Sequence, residues 1–168
     1  MPAAAPWTAG ARWFTCDLWE YAKDDEWNDE LSRTGSLRDT LRGDRPLAFG
    51  CFAVIRKANN VIDKMTPEAC DKAHNAEFAG IAVANDVPYP KNDAQEWEVV
   101  GKRCWVPVGT YAGLKNDSTL ERRVHLIYQG LGETEWNRGN RGVRCWLRLD
   151  KNVTKSMRGA GPSAFPVR

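Results

Sequence analysis

Residues 143–149 read Val-Arg-Cys-Trp-Leu-Arg-Leu, and this stretch decides the fold class. Val143, Cys145, Leu147 and Leu149 alternate with Arg144, Trp146 and Arg148. Successive side chains of a strand point to opposite faces, so the pattern predicts a half-buried β-strand with its apolar residues inward. Residues 123–129 (RVHLIYQ) have the same character, and a glycine- and charge-rich loop over 130–142 separates the two. Further upstream, residues 78–84 (FAGIAVA) and 47–57 (LAFGCFAVIRK) read as buried strands, the latter with Gly50 as a possible bulge site. Asn59-Asn60 is turn chemistry, and Val61-Ile62 can begin a short returning strand.

Two segments between these strands have other signals. Thr66 followed by Pro67 predicts a short helix over 67–74, with Thr66 as N-cap and Pro67 at the first helical position. Residues 96–100 and 102–108 (EWEVV and KRCWVPV) predict two further strands around Gly101, with Pro107 marking a strand end or edge. The count is six to eight short strands with no internal repeat. The expectation is a mostly β fold: a small antiparallel β-barrel or sandwich with a short helix and extended N- and C-terminal arms. Residues 1–45 read as an arm and polar excursion, 46–150 as the β domain, and 151–168 as a tail.

A chain of 168 residues can bury one real core. Its 27% charged residues are ordinary for a globular protein and argue against wholesale disorder. The net charge of +2 hides an asymmetry. Residues 1–44 carry nine acidic and five basic side chains, whereas residues 121–168 carry four acidic and ten basic. Oppositely charged ends can steer association between copies or partners. No apolar run approaches the length of a membrane span. Residues 1–10 lack the basic and apolar regions of an export signal and read as an arm.

The five cysteines are Cys16, Cys51, Cys70, Cys104 and Cys145, with no C-x-x-C among them. That spacing excludes a zinc ribbon or a thioredoxin-type site. Cys51, Cys104 and Cys145 lie in apolar runs, which predicts reduced, buried thiols and folding in a reducing cytoplasm. A catalytic centre is hard to assemble. His125 lies in a strand, and His74 stands one helical turn beyond Cys70, a weak Cys–His couple without a third orienting group. The acidic residues Asp24, Asp25, Glu26, Asp29 and Glu30 lack the spacing of a calcium loop. No phosphate-binding or nucleophile-elbow motif occurs. The reading is therefore a binding protein with no enzyme activity, no metal and no cofactor.

Arg138, Arg141, Arg144 and Arg148 lie near Trp136 and Trp146. Arginine and tryptophan are the residues of protein-interface anchors. Trp7, Trp27, Arg138 and Arg141, in arms and loops, are the expected partner contacts. The alternative is single-stranded nucleic acid held by Arg144, Trp146 and Arg148 on one strand face.

The order of strands and turns carries a resemblance. FAGIAVAN, a loop with Tyr89, EWEVVGKRCWVPVG, the polar turn LKNDSTL and then RRVHLIYQG follow the buried strand LAFGCFAVIRK. Over residues 46–150 this pattern resembles the capsid decoration, or cement, proteins of tailed bacteriophages. The resemblance implies a virion structural protein that assembles as a homotrimer on the capsid surface. It would bridge subunits of the major capsid protein, having folded in the host cytoplasm.

Overall fold

The computed structural model describes residues 8–10, 20, 31–40, 49–130 and 132–168. Trp7, Trp27, Cys16 and the aromatic run 12–19 lie outside them. Two compact units divide at Ala48 and Phe49. In the first, Leu31 donates its N–H to the Glu20 carbonyl at 2.8 Å, and Arg33 pairs with the Glu20 carboxylate at 2.9 Å.

The second unit is built on one antiparallel sheet of five strands: β1 Cys51–Arg56, β2 Ile62–Glu68, β3 His74–Val83, β4 His125–Gln129 and β5 Gly142–Val153. Their spatial order is β2-β1-β3-β5-β4. The mostly β, antiparallel class is as the alternation predicts. The sheet stays open and does not close into a barrel. Short helices accompany it: α1 Asp93–Val99, α2 Trp105–Ala112, α3 Glu133–Asn137 and α4 Gly161–Ala164.

Three local expectations are corrected. EWEVV forms the end of α1 with Val100 as its C-cap, and KRCWVPV lies in a 3-10 turn, Gly101–Cys104, followed by α2; neither is a strand. Asn92 caps α1 by accepting the Gln95 N–H, and Asp93 and Glu96 place negative charge in its first turn. Pro107 sits in the first turn of α2, where its missing N–H costs no intrahelical bond. Conversely, Thr66-Pro67 starts no helix but belongs to β2, with Pro67 opposite Phe52. Within the sheet β2 is the outermost strand beside β1, a position that tolerates proline. The tail is not an extended arm: β5 runs to Val153, and Met157 and Phe165 are each buried in the core.

The register assigns the two faces. Leu147 stands opposite Glu77, Cys145 opposite Gly80 and Val143 opposite Ala82. Ala82, Val143, Cys145 and Leu147 meet Cys104, Val108, Ala112, Leu120, Trp136, Met157 and Phe165 in the main core. The other face carries Phe52, Val54, Ala76 and Trp146, with Phe49, Met65, Phe78 and Ile127 packed around them. A bulge in β3 between Phe78 and Gly80 keeps both patterns in phase along the strand. Gly80 adopts φ 142°, and a β-carbon there would stand 3.4 Å from Pro107.

The cysteines overturn the expectation of reduced thiols. Cys51 bonds to Cys70, and Cys104 to Cys145. Cys51 lies opposite Glu68 in the β1–β2 ladder, so the chain two residues further returns over it. The second bridge ties the 3-10 turn to the middle of β5. Burial, the property read from the sequence, is correct for Cys51, Cys104 and Cys145. Their partners depend on strand pairing across 19 and 41 residues. Replacing Cys104 and Cys145 together by alanine is expected to lower the unfolding free energy by about 2–5 kcal/mol, measured by urea denaturation. Peptide mapping without reductant should recover both linked pairs; free thiols at these four positions would contradict the pairing.

Candidate functional site

Two polar clusters stand out in the second unit, one buried and one open. The buried cluster centres on Glu77, in the middle of β3 and fully inaccessible. His74, three residues earlier and also fully buried, places Nε2 2.7 Å from Glu77 Oε1. The Met157 backbone N–H donates to the same oxygen at 2.8 Å. Tyr111 donates its hydroxyl to Oε2 at 2.6 Å, and Ser156 donates to Oε2 at 3.1 Å. His74 Nδ1–H donates to the Lys72 carbonyl at 2.8 Å, which leaves Nε2 to face the carboxylate. Met157, Tyr111 and Ser156 thus donate to both oxygens of Glu77, and His74 Nε2 completes the set of partners that a buried carboxyl group requires. Burial, and then the hydrogen bond to Glu77, push the Tyr111 hydroxyl well above its ordinary pKa.

Cys70, the supposed nucleophile beside His74, is tied to Cys51 as a disulfide. His74 thus has a carboxylate partner, Glu77, that the sequence does not reveal. The sequence carries no signal for it: β-strand spacing alone does not bring His74 and Glu77 to one face, but a bulge between His74 and Ala76 does.

The open cluster centres on Asp150 at the far end of the same strand as Arg148. Arg148 donates to Oδ1 at 3.1 Å and Arg56 at 3.4 Å. His125 Nε2 lies 2.9 Å from Oδ2, and the Arg168 guanidinium also bonds Oδ2. The ladder explains the convergence, because His125 stands opposite Arg148. Asp150 is half exposed, at 51% of its side chain, while Arg148 is only 6% exposed. The hydrogen bond from His125, followed by the neighbouring charges, lowers the Asp150 pKa to about 2. Three guanidinium groups hold more N–H donors than one carboxylate can accept. The cluster therefore carries more positive than negative charge, and Arg56 and Arg168 are the arginines that bring it to the surface.

The predicted contact residues divide differently. Arg138 is 71% exposed and pairs with Glu135 at 2.6 Å. Arg141 is used within the fold: its guanidinium lies 4.3 Å from the Trp136 ring centroid and bonds Asp86 at 2.8 Å. Arg144, Trp146 and Arg148 do share a face, as the alternation implies, with Arg144 opposite Ile81 and Arg148 opposite Ala76. Trp146, however, is 4% exposed and packed edge-on by Phe49, Phe52 and Phe78. Arg56, His125, Asp150 and Arg168 were missed as a group because they come from three strands and a distant segment.

Replacing Glu77 by glutamine should cost about 1–3 kcal/mol, since an amide N–H₂ would face groups that themselves donate, leaving a buried donor unpaired. Tyr111→Phe should cost about 1–3 kcal/mol, since it removes one donor from a buried carboxylate. Urea unfolding measures both. Asp150 has a depressed folded-state pKa, so its contribution is present above the ordinary carboxylate value of about 4. That contribution is lost as the pH falls toward about 2. NMR titration of the side-chain carboxyl should show this low midpoint, and Asp150→Asn should remove the corresponding part of the acid limb.

No curated protein and no solved structure matches this chain. Residues 1–145 match the family described as septum formation, which spans unit one and the sheet as far as the disulfide cysteine of β5. The chain belongs to the septum formation family.

Proposed function

We propose that this protein is a non-catalytic binding domain in septum formation, the building of the cross-wall between dividing cells. It holds an acidic surface of a partner protein on the cationic end of its sheet. The observation that carries this reading is the convergence of Arg56, Arg148, Arg168 and His125 on the half-exposed Asp150. Arginine at a partly desolvated surface is suited to anchoring a protein contact, and the excess charge speeds encounter with an acidic partner.

The family description supplies the process. The two disulfides favour action in an oxidising compartment. While the Cys51–Cys70 disulfide is closed, burial of both His74 and Glu77 favours a structural use for that pair. The capsid-decoration reading draws on strand order alone. A single-stranded nucleic acid on Arg144, Trp146 and Arg148 would need an open ring for stacking, and the Trp146 ring is packed against three aromatic neighbours.

Deleting the gene should produce a septation defect, scored by microscopy, that the wild-type chain restores. The double variant Arg56→Ala, Arg168→Ala should fail to restore it while keeping its unfolding midpoint and both disulfides. Arg138→Ala, at a surface arginine outside the cluster, should restore it. Full rescue by the double variant would remove the cationic cluster from the contact. A normal septum after deletion would remove the function itself.

A further inference from the structure

The Cys51–Cys70 disulfide sits directly on the His74–Glu77 pair. Cys51 stands opposite Glu77 in the β1–β3 ladder. Cys51 Sγ, a ring nitrogen of His74 and a carboxylate oxygen of Glu77 all lie within 4.8 Å of one another, and all three residues are buried. Cys70, bonded to Cys51, brings a second sulfur to the same point. Each of the other two groups is supported from behind. His74 Nδ1–H is held by the Lys72 carbonyl, which aims Nε2 inward. Glu77 Oε2 is held by Tyr111 and Ser156. Such outer hydrogen bonds are how proteins orient metal ligands. Two thiolates, an imidazole and a carboxylate form a donor set for a tetrahedral zinc ion.

We infer that, in the dithiol state, Cys51, Cys70, His74 and Glu77 form a zinc site, and that the disulfide and the metal are alternative occupants of it. Access is through Cys70, which lies on an exposed turn, with Ala69, Asp71, Lys72 and Ala73 exposed around it. A small-molecule or protein dithiol attacks Cys70 Sγ through one thiolate. The S–S bond breaks, Cys51 leaves as a thiolate beside His74, and a mixed disulfide forms on Cys70. The second thiol of the reductant attacks its own sulfur in that mixed disulfide, releasing the Cys70 thiolate. Two electrons have passed from the reductant to the protein sulfurs, and the reductant leaves oxidised, as its own new disulfide. Zinc binding then displaces the thiol protons and the proton between His74 Nε2 and Glu77 Oε1. Reoxidation by a disulfide of the same class reverses the exchange and expels the ion.

The test uses the full chain carrying Cys16→Ser, treated with dithiol without oxygen and then freed of it. Zinc alone is titrated by equilibrium dialysis, and cobalt serves as a spectroscopic substitute. One ion per reduced chain and none per oxidised chain is the expected result, with a thiolate-to-cobalt charge-transfer band. Cys70→Ser, which cannot close the disulfide, should bind the ion without any reductant through Cys51, His74 and Glu77. Tyr111→Phe, which removes only support for Glu77, should weaken binding about 10–100-fold. The pair Cys104→Ser, Cys145→Ser should leave the stoichiometry unchanged. Absence of zinc from the reduced chain, or binding unaltered by Cys51→Ser, would overturn the proposal. Because the cobalt spectrum is read on the chain with its ligands intact, a variant that misfolds does not leave the question open.

Discussion

The carboxylate of Glu77 is the constraint on which the second unit depends. A charge in a dry interior is tolerated only when its lone pairs are taken up by donors. Here the donors come from places far apart in the chain: His74 in the same strand, Tyr111 in α2, and Ser156 and Met157 beyond β5. Satisfying one carboxylate therefore draws a helix and the C-terminal segment to the middle of the sheet. The tail follows from this: once Met157 is fixed at Glu77, its side chain and that of Phe165 complete the main core.

The disulfides act on the same region. One closes over the His74–Glu77 pair, and the other joins the 3-10 turn before α2 to β5. Both staples lie on the helix-covered face, where Cys51, Glu77 and Cys145 point. Charges on the opposite face have a different role. Arg148 and Asp150 lie at the end of the sheet with Arg56, His125 and Arg168, and three guanidinium charges there outnumber the one carboxylate, although Arg148 and Arg168 also donate to the Leu149 and Arg123 carbonyls. A saturated buried charge holds a fold together, whereas an unsaturated exposed one is available to a partner. The two clusters of this chain differ in that respect.

Much of the sheet was legible residue by residue. Val143, Cys145, Leu147 and Leu149 alternate over enough positions to settle both the strand and its inward face, and all four are buried. FAGIAVA and CFAVIR were legible as short apolar runs rich in strand-forming residues. EWEVV was too short for alternation to separate strand from helix. The better signal was Asn92 followed three residues later by Gln95, a helix-capping spacing. Thr66-Pro67 gave the same kind of signal wrongly, because a proline at the outside of a sheet satisfies its lack of an N–H as well as one at a helix start.

Sequence alone determined that this protein has an antiparallel sheet with buried cysteines and arginine-bearing strand faces, because side-chain alternation is a local property of a strand. Only the tertiary structure decided which cysteines pair, that His74 meets Glu77, and that Arg56, His125, Arg148 and Arg168 converge on Asp150. Those outcomes depend on strand order and register, which bring together residues separated by up to 94 positions, as Arg56 and Asp150 are. No local pattern encodes a register shift such as the bulge between His74 and Ala76, yet that shift places the histidine on the carboxylate.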